Sequence, residues 1–212
     1  MRRLLLARHG QSVSNAVRRF QGAHDVPLSE LGEAQARALG TALRRRRLAR
    51  VYTSPLLRAR HTAELAVAEL AVPVVPLADL RELSLGEWEG CTVEEIQAQT
   101  GNPYARWVRD PVACSPPGAE PLPEVQRRVV QVMADIAHRH RPDEDVLVVC
   151  HGGVISAYLA HCLGLALSSL WRLTVANGSL SEIAPPRVLR VNDTGHLTAL
   201  PLAPRGGVGF SP

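Results

Sequence analysis

The sequence predicts an α/β protein with a mostly parallel sheet. Two observations carry that expectation. Leu4-Leu5-Leu6-Ala7 and Val146-Leu147-Val148-Val149-Cys150 are unbroken apolar runs of the kind that form short strands buried on both faces of a parallel sheet. Each run then ends in a histidine, His9 or His151, followed by glycine and a helical stretch. A third observation is the alternation of such runs with amphipathic helical segments between them. Open α/β sheets bind ligands beyond the carboxyl ends of their strands, so both histidines fall where chemistry is expected. The plainer reading of either stretch alone is a polar turn after a core strand.

In chain order, the first strand passes through Arg8 and His9 into Gly10, where the backbone can turn sharply, and into Gln11, Ser12 and Asn15, which carry anion-binding groups. Residues 21–28 read as a loop. Ser29 caps a helix expected to reach about Arg46, with Ala34, Ala38, Leu39, Ala42 and Leu43 as its apolar stripe. The Arg44–Arg47 run reads as its solvated end. Val51-Tyr52-Thr53 forms a second strand, and Ser54-Pro55 opens a helix to about Ala71, with Arg58, Arg60 and His61 in its first turns. Val74–Leu77 is a third strand, followed by a glycine-bounded loop from Leu80 to Gly90.

Residues 92–123 break the rhythm and read as a cap-like excursion over the sheet. Glu124–His140 is an amphipathic helix, the second histidine strand follows, and Val154 to about Leu163 is helical. Ser179–Ile183 and Val188–Val191 read as edge strands, and residues 205–212 as a loose tail. One domain therefore accounts for residues 1–212.

With 46% hydrophobic residues, the chain can bury one substantial core. It has no run of 18 apolar residues and no signal-type cleavage site near its start, which points to the cytoplasm and away from a membrane. The net charge of +4 is carried entirely by arginine and is too modest to indicate nucleic acid. Cys91, Cys114, Cys150 and Cys162 are widely spaced, with no zinc or disulfide pattern, and alternation along the strand turns Cys150 and His151 to opposite sides.

Two strand-tip histidines, nearby arginines and an acid in a glycine-bounded loop can hold and cleave a phosphate ester. Imidazole can attack phosphorus, guanidinium forks match phosphoryl oxygens, and a carboxyl group among anions can keep a proton for the leaving alkoxide. Leu6-Ala7-Arg8-His9-Gly10-Gln11-Ser12, Ser54-Pro55-Leu56-Leu57-Arg58-Ala59, Leu80-Arg81-Glu82 with Gly86-Glu87-Trp88-Glu89-Gly90, and Val149-Cys150-His151-Gly152-Gly153 occur in the order seen in the histidine phosphatase superfamily. Over roughly residues 3–165 the chain resembles the phosphoglycerate-mutase-like branch. That resemblance implies a three-layer α/β/α fold with a phosphate pocket above the sheet and a small cap.

Carried over residue by residue, the resemblance makes His9 the nucleophile, Glu82 the proton donor, and Arg8, Arg58 and His151 the phosphate pocket. Ser12, Asn15, Gln21, Gly22 and Gly152 join them as phosphate contacts. His151 has a second possible role as a cationic stabiliser. Glu87 and Glu89 are read as surface or loop-ordering groups, His61, His138, His140 and His161 as solvated or packing residues, and Trp88, Trp107 and Trp171 as core or cap anchors. His24 and His196 are left between pocket rim and exposed loop.

The reading is a phosphomonoesterase acting on a small phosphorylated metabolite, with no metal and no cofactor expected. A homodimer is left open. The alternatives are a phosphoglycerate mutase and a non-catalytic phosphate-binding module. The mutase is disfavoured because the span after the acid loop is short, offers only Arg106 and Arg109, and because Gly152-Gly153 stands where mutases typically carry Gly-Asn. The filled catalytic positions argue against a binding module.

Overall fold

A computed structural model describes residues 3–200. The expected tail at 205–212 lies outside the described residues. The elements run β1 (Arg3–Arg8), α1 (Val13–Ala16), α2 (Glu30–Leu43), β2 (Leu48–Thr53), α3 (Leu57–Ala66), β3 (Val74–Pro76), α4 (Val93–Gln97), α5 (Pro103–Arg109), α6 (Leu122–His138), β4 (Asp145–Cys150), α7 (Gly152–Leu163), β5 (Leu180–Ala184) and β6 (Arg187–Asp193). One six-stranded sheet has the order β3-β2-β4-β1-β5-β6. β1, β2, β3 and β4 pair in parallel, whereas β5 is antiparallel to both β1 and β6.

Alternation along β1 divides the core. Leu5 and Ala7 pack with Val51, Leu147 and Val149 beneath Leu39 and Leu43 of α2 and Ala59, Ala63 and Ala66 of α3. Leu4 and Leu6 face the other way, with Val146 and Val148, onto α6 and α7. Helices therefore cover both faces, which is why β1 and β4 read as continuous apolar runs. The second core continues into an aromatic cluster of Phe20, Trp88, Tyr104, Trp107 and Trp171, with Trp107 and Trp171 centroids 4.7 Å apart. The buried tryptophans join the 86–88 turn and α5 to the 167–172 turn.

Several expectations change. Of the two expected edge strands, β5 is interior and buried along its whole length, and β6 alone lies at an edge, opposite β3. α2 stops at Leu43, so the arginine run is a connection to β2. Arg44, Arg45 and Arg47 are exposed as expected, but Arg46 is partly buried, with Nη2 2.8 Å from Glu182 of β5 and Nη1 3.5 Å from Asp145. α3 begins at Leu57, beyond Pro55, and ends at Ala66.

Candidate active site

The parallel register of β1 and β4 sets Arg8 beside Cys150, so the next residues, His9 and His151, stand side by side at the carboxyl edge. The His9 N–H donates to the Cys150 carbonyl at 3.0 Å, and the two imidazole centroids are 5.1 Å apart in an edge-to-face arrangement. Cys150 itself turns into the α6–α7 core, where burial pushes its thiol up and away from reactivity.

The loop leaving β1 is pinned on all sides. Gly10 N–H donates to Thr62 Oγ1 at 3.0 Å, Gln11 N–H to Gln35 Oε1 at 2.8 Å, and Ser29 N–H to the Gln11 carbonyl at 2.9 Å. Gly10 and Gly32 meet backbone to backbone. A Cβ on Gly10 would strike the Gly32 carbonyl, and one on Gly32 the Gln11 carbonyl, so only glycine lets α2 approach the loop this closely. Ser12 and Asn15 cap α1 reciprocally, and the Ser12 hydroxyl donates to Gln21 Oε1 at 2.7 Å. Asn177, from the loop before β5, donates to the His9 carbonyl at 3.2 Å and to Asn15 Oδ1 at 3.1 Å.

Arg8, His9, Gln21, Gly22, Arg58 and Glu82 line one cleft, together with Arg19 and Phe20. Arg8 and Arg58 are 4% and 1% exposed, a severe desolvation for guanidinium, and both are steadied by carbonyls. Arg8 Nη1 donates to Val175 at 2.6 Å, Arg58 Nη1 to His24 at 2.7 Å, and Arg58 Nη2 to Gly22 at 2.9 Å. Burial lowers each guanidinium to about 10, which still leaves both charged at neutral pH. Gly152 provides the flat surface beside Arg8, its missing Cβ lying 3.4 Å from the guanidinium carbon.

His9 Nδ1 lies 2.7 Å from the Gly10 carbonyl, which can only accept. Nδ1 therefore carries the proton and Nε2 keeps its lone pair. Burial, reinforced by Arg58 and Arg8, holds this imidazole well below its ordinary value, so it is neutral. His151 is held low chiefly by burial as well, with Arg58 and His9 next in effect. In the ligand-free site that favours the neutral ring over the cationic one. Glu82 goes the other way: burial raises its carboxyl, partly opposed by Arg58 and by N–H donors from Gly153 at 3.2 Å and Leu83 at 3.1 Å. The cleft thus combines a neutral imidazole with its Nε2 lone pair free, a carboxyl biased towards its protonated form, and two fixed positive charges.

The five principal residues named from sequence come together. Ser12 and Asn15 sit below them as a bracing layer for Gln21 and the β1 loop. Glu89 orders the loop, accepting from Ala23 at 3.0 Å and Leu85 at 2.9 Å. His24 contributes its carbonyl to Arg58, while its ring stays exposed near Glu89. His196 does not line the cleft; it bonds the carbonyl of Gly178, whose N–H in turn donates to the His9 carbonyl at 3.1 Å. Ser54, Thr62, Gln35 and Asn177 were not assigned from sequence. Ser54 lies within a quoted motif, whereas Asn177 follows no motif.

Neutral imidazoles among fixed positive charge, at the tips of a mostly parallel sheet, are suited to phosphoryl transfer, and comparison with known proteins supplies the class. The family model of the histidine phosphatase superfamily (branch 1) matches residues 4–191, and the chain belongs to that superfamily. It is 35% identical over 202 residues to phosphoserine phosphatase 1 of Hydrogenobacter thermophilus, covering 93% of this chain and 95% of that protein. It is 34% identical over 181 residues to the adenosylcobalamin/alpha-ribazole phosphatase of Salmonella typhimurium, covering 85% and 89%. The solved structure of mycobacterial glucosyl-3-phosphoglycerate phosphatase with VO3 superposes with a TM-score of 0.85 at 32% identity, covering 92% of this chain and all (100%) of that one. The chain is a hydrolase of phosphate esters.

Proposed function

We propose that His9 is the nucleophile and Glu82 the general acid of a small-metabolite phosphomonoesterase in which the whole chain acts as one catalytic unit, with residues 92–123 as its cap. The observation that carries this reading is the opposed bias of two buried groups in one cleft: His9 deprotonated with Nε2 available, Glu82 raised towards its acid form. In the first step Nε2 forms a bond to phosphorus as the ester P–O bond breaks, and Glu82 gives its proton to the departing oxygen. In the second, Glu82 as carboxylate takes a proton from water, the hydroxide forms a P–O bond, and the P–N bond breaks to release phosphate. Arg8 and Arg58 offset charge on the phosphoryl oxygens in both steps.

The named relatives hydrolyse phosphoserine, an alpha-ribazole phosphate and glucosyl-3-phosphoglycerate, which favours hydrolysis over a mutase and defines the first substrates to try. Four free cysteines suit a reducing cytoplasm. The test is turnover of p-nitrophenyl phosphate and of those three esters. It is paired with 3-phosphoglycerate and a bisphosphate primer, where phosphoryl relocation without phosphate release would favour the mutase.

A further inference from the structure

Ser54 follows directly on β2 and is fully buried, with its Oγ 2.8 Å from His151 Nε2. The same oxygen accepts the Leu56 N–H at 3.2 Å, completing the turn into α3. Its own proton then needs an acceptor, and among the described residues His151 Nε2 is the one within reach. The opposite assignment, Nε2–H donating to Ser54, would strand the hydroxyl proton in a dry interior. The first assignment leaves one group unsatisfied instead: His151 Nδ1, which is buried and has no hydrogen-bond partner among the described residues. A buried N–H without an acceptor is costly, so such groups are rare outside functional positions.

We propose that Ser54 is a positioning residue that fixes His151 as the Nδ1–H tautomer, reserving that N–H for a phosphoryl oxygen of the substrate. The two histidines then hold the same Nδ1–H tautomer but turn opposite ring nitrogens to use. Gly10 sets His9 with its lone pair on Nε2, and Ser54 sets His151 with its proton on Nδ1, so one ring attacks phosphorus while its neighbour, 5.1 Å away, donates to the oxygens. This division of labour rests on the phosphatase reading above. It explains why a neutral His151 serves a site that already has two guanidiniums: a directed donor adds geometry where further charge would add repulsion against Arg8 and Arg58.

The tautomer is read without turnover. Histidine-labelled protein at pH 7.5, observed by long-range nitrogen–proton NMR, is expected to show His151 with a protonated Nδ1 and an unprotonated Nε2, assigned by loss of the signals in His151→Gln. In Ser54→Ala the His151 signals should move towards the Nε2–H form, and kcat on p-nitrophenyl phosphate should fall roughly ten- to a hundredfold, the loss expected for a misplaced donor. A wild-type His151 protonated on Nε2, or a Ser54→Ala spectrum identical to wild type, overturns the inference. Wild-type protein that shows the Nδ1–H tautomer but turns over no ester leaves Ser54's assignment standing and removes the phosphatase reading instead.

Discussion

Each side chain proposed for catalysis is held by a hydrogen-bond partner of its own, and that makes single substitutions informative. His9→Ala should abolish turnover and phosphoenzyme formation, whereas His61→Ala, on the first turns of α3, should leave both near wild type. Acid-labile, base-stable label on the His9→Ala protein would place the nucleophile elsewhere. Glu82→Gln should cost on the order of 10²- to 10⁴-fold on esters of poor leaving groups and far less on p-nitrophenyl phosphate, whose phenolate departs with little help. Equal losses on both would make Glu82 a substrate-positioning group. Because Arg8 and Arg58 carry the positive charge that metal ions supply in other phosphatases, activity should persist in EDTA without added divalent ions. Its loss on chelation and return with magnesium would count against that role.

At the scale of elements, α7 begins directly behind His151, and its second residue is Gly153. A Cβ there would collide with the Leu83 side chain and with Glu82 Oε1, and the Gly153 N–H also donates to Glu82. Gly153→Ala should therefore act as a mutation of Glu82 at one remove. Stability should fall by about 1–3 kcal/mol from overpacking, and activity should fall most on poor leaving groups. A uniform loss on all substrates would separate helix packing from the acid. The glycine pair was legible in the sequence as a motif, but not as the wall of the Glu82 pocket, because Leu83 and Gly153 lie far apart in the chain. β5 was misplaced for a similar reason. The Glu182 carboxylate in mid-strand is satisfied in the interior by Arg3 and Arg46, which are 179 and 136 positions away. Strand tips, apolar runs and the helix stripes show in local pattern. Sheet order, the Arg46 network and Asn177 depend on pairing at a distance, which local pattern does not encode.

Over the whole molecule, the site imposes a pH dependence on the fold. His9 and His151 are held below their ordinary value, so below about pH 6.5 the unfolded chain takes up protons that the folded chain refuses. Their stabilisation is complete above that pH and is lost as pH falls, at about 1.4 kcal/mol per pH unit for each group. Half-buried His196 adds to the same slope. Glu82, held above its ordinary value, contributes oppositely: its stabilisation is full in acid and is lost as pH rises through its folded value. The histidines outnumber it, so the melting temperature should drop between pH 7 and pH 5, and the drop should shrink in a His9→Asn/His151→Asn double variant. An unchanged slope in that variant would assign the acid sensitivity to other groups. The two histidines occupy the same rung of neighbouring strands, so their spacing is borrowed from the sheet's own repeat of about 4.8 Å. A ruler made of backbone is indifferent to what is built above it: grafts replacing the α4–α5 segment should re-tune which ester is chosen while the reacting pair keeps its calibration.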